Sequence, residues 1–155
     1  MHISFTLNGE PADVAVESSA LMVDVIRDLG LTGTKEACGV GVCGLCTILV
    51  NELPVSSCIY LAACAAGADV WTVEGLARKE PGLISAFVEH EGMQCGICTP
   101  GQVMAAAALA RENPAASDEQ MRDYQAGNLC RCTGYNKIVE AIQYAAEKIE
   151  EGAEV

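Results

Sequence analysis

The sequence has few positive charges and few aromatic residues. Nine Lys and Arg stand against 21 Asp and Glu, which gives a formal net charge of -12. A nucleic-acid partner would need a basic face and an anionic membrane would attract basic segments, so the charge disfavours both. Aromatic residues make up only 5% of the chain, and much of its apolar content is alanine, which predicts closely packed helices.

Long hydrophobic runs are also missing. Apolar stretches such as residues 103–110 are far too short to span a bilayer, so we expect no membrane insertion. The first five residues, MHISF, have neither the positive region nor the apolar region of a secretory signal. We therefore expect a cytoplasmic protein of 155 residues, long enough for one domain or two small ones.

Cysteine, in contrast, is abundant. Nine cysteines cannot all pair within the chain, and in a reducing compartment clustered cysteines are more often metal ligands or catalytic groups than disulfides. The two histidines, His2 and His90, are too scattered to suggest catalysis. The chain has no phosphate-binding glycine motif and no nucleophile elbow, so we expect no catalytic residue and no substrate-turnover site in it.

The first half of the chain is predicted to be a small α+β unit. Strands are predicted at residues 3–7, 12–16, 47–50, 55–59 and 70–73. Asn8-Gly9 marks the turn of a first hairpin, and Ser18 or Ser19 is predicted to cap a helix that runs to Leu29. Residues 33–46 are rich in Gly and Cys and show no period, which predicts a loop.

The second half is predicted to be a four-helix unit. Helices are predicted at about residues 81–90, 99–112, 117–125 and 136–150. Thr99 is the predicted N-cap of the second of these helices, with Gln102 completing a capping box, and Ser117 with Gln120 forms another box. The buried side of the last helix is predicted to include Ile138, Val139, Ile142, Tyr144, Ala145 and Ile149.

The change in composition after Glu74 places a domain boundary near residues 75–82. We therefore predict an N-terminal domain over residues 1–76 and a helical domain over residues 77–155. The last residues, 150–155, are expected to be frayed.

A first set of four cysteines lies in the N-terminal unit. Cys38, Cys43 and Cys46 have the C-x4-C-x2-C spacing of plant-type [2Fe-2S] ferredoxins, and Cys58 follows on a predicted strand as the fourth ligand. Four thiolates around two irons form an anionic site, so the loop must turn backbone N–H groups toward sulfur. The residues that allow this close approach are Gly39, Gly41 and Gly44.

A second set of four cysteines lies in the helical unit. Cys95-x2-Cys98 and Cys130-x-Cys132 each lie beside a predicted helix start, and helix N-termini favour anions. A structural zinc site is the alternative, because zinc is commonly held by pairs of closely spaced cysteines. The long glycine-rich loop of the first set favours a larger cluster, and two iron–sulfur sites are therefore predicted.

The ninth cysteine, Cys64, belongs to neither set. It lies in the apolar stretch of residues 61–65, and free cysteine is commonly buried, so it is predicted to be a small core residue. A redox or ligand role is the alternative.

The sequences around both cysteine sets are similar to the cluster motifs of one enzyme family. Residues 35–47, KEACGVGVCGLCT, resemble the N-terminal cluster loop of the molybdenum hydroxylases, the family of xanthine dehydrogenase, aldehyde oxidoreductase and carbon monoxide dehydrogenase. Residues 94–101, QCGICTPG, and 128–135, NLCRCTGY, resemble the second cluster motif of that family. The resemblance covers residue 3 to about residue 148. Many family members carry an acidic residue in the first loop, where this chain has Val40 and Val42.

The resemblance implies a β-grasp ferredoxin domain followed by a helical [2Fe-2S]-binding domain. The chain would then be the small electron-transfer subunit of a complex, with a large subunit carrying molybdopterin and usually a medium subunit carrying FAD. Electrons would pass from molybdenum through the helical-domain cluster and then the ferredoxin-type cluster to FAD or another acceptor. Gln94 would hydrogen-bond the pterin, and Cys132 would ligate the iron nearest to it. Without the resemblance, Gln94 is a polar residue at a helix end.

Two other functions stay open on the sequence alone. A free-standing two-cluster ferredoxin is one, since an acidic carrier can be steered to its partners by charge. A zinc-stabilised interaction module is the other. Co-purification with larger subunits would exclude the first alternative, and a red-brown colour would exclude the second.

Overall fold

The computed structural model describes the backbone of residues 1–150 and the side chains of residues 1–147. One mixed sheet of five strands has the order β2-β1-β5-β3-β4. Its strands are β1 (His2–Leu7), β2 (Glu10–Ala15), β3 (Thr47–Val50), β4 (Leu53–Ser56) and β5 (Asp69–Trp71). β1 pairs antiparallel with β2 and parallel with β5, while β3 pairs antiparallel with both β4 and β5. The predicted hairpin at the start of the chain is confirmed.

Six α-helices and one 3₁₀ turn accompany the sheet in the described residues. They are α1 (Met22–Asp28), the 3₁₀ turn Ala62–Ala65, α2 (Val73–Lys79), α3 (Pro81–Glu89), α4 (Thr99–Glu112), α5 (Asp118–Gln125) and α6 (Asn136–Glu150). The four predicted helices of the second half are confirmed as α3 to α6. Helix α2 was not predicted, and it runs across residue 76, where the boundary between the two domains is predicted. That boundary stays a prediction. Ile149 and the expected fraying of residues 150–155 lie outside the described side chains.

The start of α1 differs from the prediction. Neither Ser18 nor Ser19 caps it, and the residue before the helix is Leu21, whose backbone is extended and forms a β-bridge with Leu61. This pairing holds the chain out of helical geometry until Met22. The helix ends as expected, with Gly30 at a φ of +86°.

Two hydrophobic cores lie on opposite sides of β3. In the first core, Ile48 and Val50 pack with Met22 and Ile26 of α1. In the second core, Leu49 packs with the helices that surround α4. Helix α4 is buried on all sides, with every residue of 101–110 in the interior, and its alanines allow this close packing. β3 therefore connects the α+β unit to the helical unit.

The prediction that Cys64 is a buried core residue is wrong. It is exposed on the 3₁₀ turn, while its neighbours Ala62 and Ala65 are the buried residues. The turn has only two inward positions, and both are filled by alanine. Among the described residues, none of the helices combines the length and the apolar content needed to cross a membrane.

Candidate metal centres

The β3–β4 hairpin brings two cysteines of the first set together. Cys46 directly precedes β3, and Cys58 lies two residues beyond β4. The backbone N–H and the side-chain hydroxyl of Ser57 donate to the Cys46 carbonyl at 3.3 and 2.7 Å, which extends the pairing of the strands. Both cysteines are 2% exposed and pack against Val23 of α1. Cys58, the predicted fourth ligand, thus lies in a turn and not on the strand predicted at residues 55–59, because β4 ends at Ser56.

The loop that carries the other two cysteines of this set curls around them. The Val40 amide lies 3.5 Å from the Cys38 sulfur, and Cys43 is buried. Three glycines of the loop have left-handed backbones: Gly39, Gly41 and Gly44, with φ of +66°, +75° and +69°. The predicted direction of N–H groups toward sulfur is therefore seen in the structure.

The second set is assembled from two distant loops. Cys98 is the residue before α4, and Cys130 lies between α5 and α6. Across the two loops, the Cys95 and Cys132 sulfurs are 3.5 Å apart. Thr133 supports Cys130, with its hydroxyl 3.1 Å and its amide nitrogen 3.5 Å from the sulfur. Tertiary packing of the helices, and not local sequence, therefore forms this site.

Both sets contain a cysteine whose thiolate is stabilised by backbone hydrogen bonds. The amides of Val40 and Val42 lower the pKa of the Cys38 thiol to about 6. The amide of Ile97 likewise lowers the pKa of Cys95. Since a metal binds the thiolate and not the thiol, these cysteines are prepared as ligands.

Each set also holds a thiol whose pKa is raised by burial, and it is fully buried at Cys58 and half-buried at Cys98. Burial, with the neighbouring Cys46 thiol, raises the pKa of Cys58 to about 11. Burial, with the neighbouring Cys130 thiol, raises the pKa of Cys98 to about 12. Thiolates this close together in an apolar site need a cation between them, and iron would supply that charge. The donor set therefore fits a thiolate-ligated cluster. Among the described residues, no group of three or more His, Cys, Asp and Glu is arranged to hold a single metal ion.

The capping box predicted at the start of α4 is wrong. Cys98 is the N-cap residue, and Thr99 already belongs to the helix. Gln102 does not reach back to the N-cap, because its side chain donates to the Asn128 carbonyl at 2.5 Å. Both residues are buried, and Asn128 in turn contacts the loop of the first cysteine set. The sequence carried no signal for the contact of Asn128 with Gly44 and Thr47, because these residues are more than 80 positions away from it along the chain.

Gln94 lies where a partner molecule can reach it. It is exposed, directly before Cys95, and it lines a surface cavity whose wall is formed by Val88, Glu91, Met93 and Lys137. Within the described residues, its side chain has no hydrogen bond, so it does not cap a helix end. Gln94 and Cys132 share one exposed region, because the Cys95 and Cys132 sulfurs are adjacent.

Apolar side chains surround the loop of the first set at the surface. Val40 and Val42 are 64% and 63% exposed, and Ile59 is 59% exposed. Ile59 lies over Gly41, where a Cβ atom would come within 2.5 Å of it. Large exposed apolar residues in one region are typical of contact surfaces.

Comparison with known proteins finds the same two-part organisation. Residues 5–69 match the 2Fe-2S iron-sulfur cluster binding domain, and residues 72–143 match the [2Fe-2S] binding domain. The nicotinate dehydrogenase small FeS subunit of Eubacterium barkeri is 43% identical over 149 residues, covering 94% of this chain and 95% of that subunit. The xanthine dehydrogenase iron-sulfur-binding subunit of Escherichia coli is 41% identical over 145 residues, covering 90% and 91%.

Solved structures have the same fold. Quinoline 2-oxidoreductase from Pseudomonas putida 86 matches with a TM-score of 0.93 and 45% identity, covering 100% of this chain and 98% of that chain. Aldehyde oxidoreductase from Desulfovibrio gigas matches with a TM-score of 0.92 and 37% identity, covering 98% of this chain but 17% of that longer chain.

Proposed function

The chain belongs to the small iron–sulfur subunits of the molybdenum hydroxylases, and we propose on this premise how its residues serve the electron relay of such a complex. The subunit transfers electrons from a molybdenum centre to FAD or another acceptor, and two [2Fe-2S] clusters supply the one-electron chemistry. The observation that carries this function is the presence of two separate four-cysteine sites in one chain. Both segments match [2Fe-2S] domain families, which argues against the zinc alternative.

The ferredoxin-type cluster is held, in this proposal, by Cys38, Cys43, Cys46 and Cys58. The β3–β4 hairpin, the wrapped loop and the burial of Cys43, Cys46 and Cys58 support the assignment. Burial keeps water away from the cluster, and backbone N–H groups offset its negative charge. Both effects tune the reduction potential of an iron–sulfur site.

The helical-domain cluster is assigned to Cys95, Cys98, Cys130 and Cys132. The contact between the Cys95 and Cys132 sulfurs and the position of Cys98 at the N-terminus of α4 support it. The exposed side of this site carries Cys95 and Cys132, so we place the molybdopterin subunit there. Cys132 is then the ligand on the side nearest the pterin.

We also propose that Gln94 donates or accepts a hydrogen bond to the pterin in the large subunit. Its exposure beside Cys95 and the lack of a hydrogen bond within the described residues support this role. The side-chain amide can both donate and accept, which suits the edge of a pterin ring.

A medium FAD-binding subunit is the proposed acceptor beside the ferredoxin-type cluster. The exposed Val40, Val42 and Ile59 surround that cluster loop and offer an apolar contact surface. We further propose a cytoplasmic location, which suits a chain whose nine cysteines are all unpaired.

Purification of the tagged chain from cells that make the whole complex tests this function. We expect molybdenum, pterin and a large subunit to co-purify with it, together with two [2Fe-2S] clusters. Recovery of the chain alone with both clusters, under the same mild conditions, would support the free-standing ferredoxin instead.

A further inference from the structure

A direct backbone hydrogen bond joins the two cysteine sites. The amide N–H of Leu129, next to Cys130, donates to the carbonyl of Cys43 at 2.9 Å. Cys43 and Cys130 belong to different sets, so this bond connects the polypeptide around one site with the polypeptide around the other. The two proposed clusters thus have a chain of covalent bonds between them that is interrupted by a single hydrogen bond.

The side chain of Asn128 holds this contact in place. Its amide nitrogen donates to the Gly44 carbonyl at 2.9 Å and to the Thr47 hydroxyl at 3.1 Å. The Thr47 hydroxyl donates in turn to the Gly44 carbonyl at 2.7 Å. Asn128 is only 6% exposed, and its own carbonyl accepts from Gln102 of α4. These buried hydrogen bonds hold Asn128 against Gly44 and Thr47 of the first site.

The main chains also approach each other closely beside the Asn128 side chain. A Cβ atom on Gly44 would lie 2.4 Å from the Gly127 carbonyl oxygen, and one on Gly101 would lie 2.2 Å from the Gly44 carbonyl oxygen. The loop of the first site therefore rests directly on the backbone of the second site and on the start of α4. Such close contact leaves little freedom for the hydrogen bond between Leu129 and Cys43 to lengthen while Asn128 is in place.

We propose that Asn128 is a positioning residue for electron transfer between the two clusters, acting by holding the Leu129 amide against the Cys43 carbonyl. This inference rests on the proposed function and adds a residue that sets the internal step of the relay. One electron leaves the helical-domain site, which is oxidised, and reaches the ferredoxin-type site, which is reduced, and no bond is made or broken. Electron transfer through protein slows steeply when a hydrogen bond is replaced by a wider gap.

Two pairs of variants in the assembled holoenzyme test the inference. Asn128→Ala removes both hydrogen bonds to the first site, and Asn113→Ala is its control at the far end of α4. Thr47→Val removes the hydroxyl at nearly constant size, and Thr47→Ser restores it. The readouts are iron and sulfide content, the magnetic interaction between the two reduced clusters by EPR, and the rate of inter-cluster transfer after rapid one-electron reduction.

We expect Asn128→Ala to keep four irons per chain, the sum of two [2Fe-2S] sites, while the transfer rate falls by about tenfold or more. The magnetic interaction weakens with it. Thr47→Val shows a smaller change in the same direction, and Thr47→Ser and Asn113→Ala behave as wild type.

Wild-type transfer rates and EPR interaction in Asn128→Ala would overturn the inference. An equal fall in the transfer rate in Thr47→Ser and Thr47→Val would also overturn the inference, because the hydroxyl would then have no effect on the transfer. Loss of iron from both Asn128→Ala and Thr47→Val would make these residues structural and not positioning residues. Failure of the proposed function is distinct, since the wild-type chain would then be recovered without a molybdenum-containing large subunit, or would lack two cluster signals.

Discussion

The two cysteine sites differ in how they are built and in how far they face the solvent. The first site uses one loop and the adjoining hairpin, and its Cys46 and Cys58 are almost fully buried. The second site uses two loops that are separated by α4 and α5, and its Cys95 and Cys132 are exposed. One site is therefore completed within a short stretch of chain, whereas the other exists only when the helices are packed.

This difference suits an electron relay. A buried site is shielded from water, and its potential is set by the polypeptide around it. An exposed site can be approached closely by a second protein. In this chain the exposed site also has the amide of Gln94 beside it, which makes no hydrogen bond within the described residues and which we propose to meet the pterin of the large subunit.

The largest expected effect comes from removing one proposed ligand of the buried site. We predict that Cys43→Ser loses the ferredoxin-type cluster and keeps the helical-domain cluster, because the two ligand sets share no cysteine. Iron content should fall by half and one EPR signal should remain. Loss of both signals would show that the two sites do not form independently.

The next largest effect should follow from Gly44→Ala, which disturbs the contact between the sites. Gly44 has a φ of +69° and no room for a Cβ atom, so we expect a loss of about 3 kcal/mol in the free energy of unfolding. Gly67→Ala is the matched control, with a φ of +74° and open space around the Cβ position. Gly67→Ala should lower the free energy of unfolding by only about 1 kcal/mol. Urea unfolding, monitored by the loss of cluster absorbance, measures the free energy of unfolding of both variants. Equal losses of stability in the two variants would contradict the predicted clash at Gly44.

A smaller effect is expected at the exposed site. Gln94→Ala should leave both clusters present while pterin retention or turnover of the complex falls by about tenfold. Gln143→Ala is the control, since its amide lies on α6 and donates to Asp118. Unchanged pterin content and rate in Gln94→Ala would remove Gln94 from the site.

The smallest effect should be seen at the start of α5, the helix that leads into the Cys130 loop. Ser117 and Gln120 form a complete capping box, so Ser117→Ala should cost about 1 kcal/mol of stability. Ser18→Ala is the control, because the structure shows no cap at that serine, and it should change stability by less than about 0.5 kcal/mol. Thermal unfolding of the two variants under the same conditions compares them. A larger loss in Ser18→Ala would contradict the observed start of α1.

Local features of the chain were predictable where local chemistry decides them. The first hairpin and the capping box at Ser117 depend on residues a few positions apart, and both predictions are confirmed. The cysteine spacing also indicated two sites, because ligand geometry limits the possible spacings.

Long-range contacts account for what the sequence did not reveal. Leu21 pairs with Leu61, which delays α1, and Gln102 turns to Asn128 instead of capping α4. The exposure of Cys64 depends on which face of a short 3₁₀ turn meets the sheet. None of these partners is adjacent along the chain, so neither propensity nor spacing could identify them.

EPR of the dithionite-reduced protein, with iron and sulfide measured on the same sample, tests the two-cluster relay most directly. We predict four irons per chain, two from each [2Fe-2S] site, and two distinguishable signals. One signal with two irons, or zinc in place of iron, would mean that one cysteine set is structural and would contradict the relay.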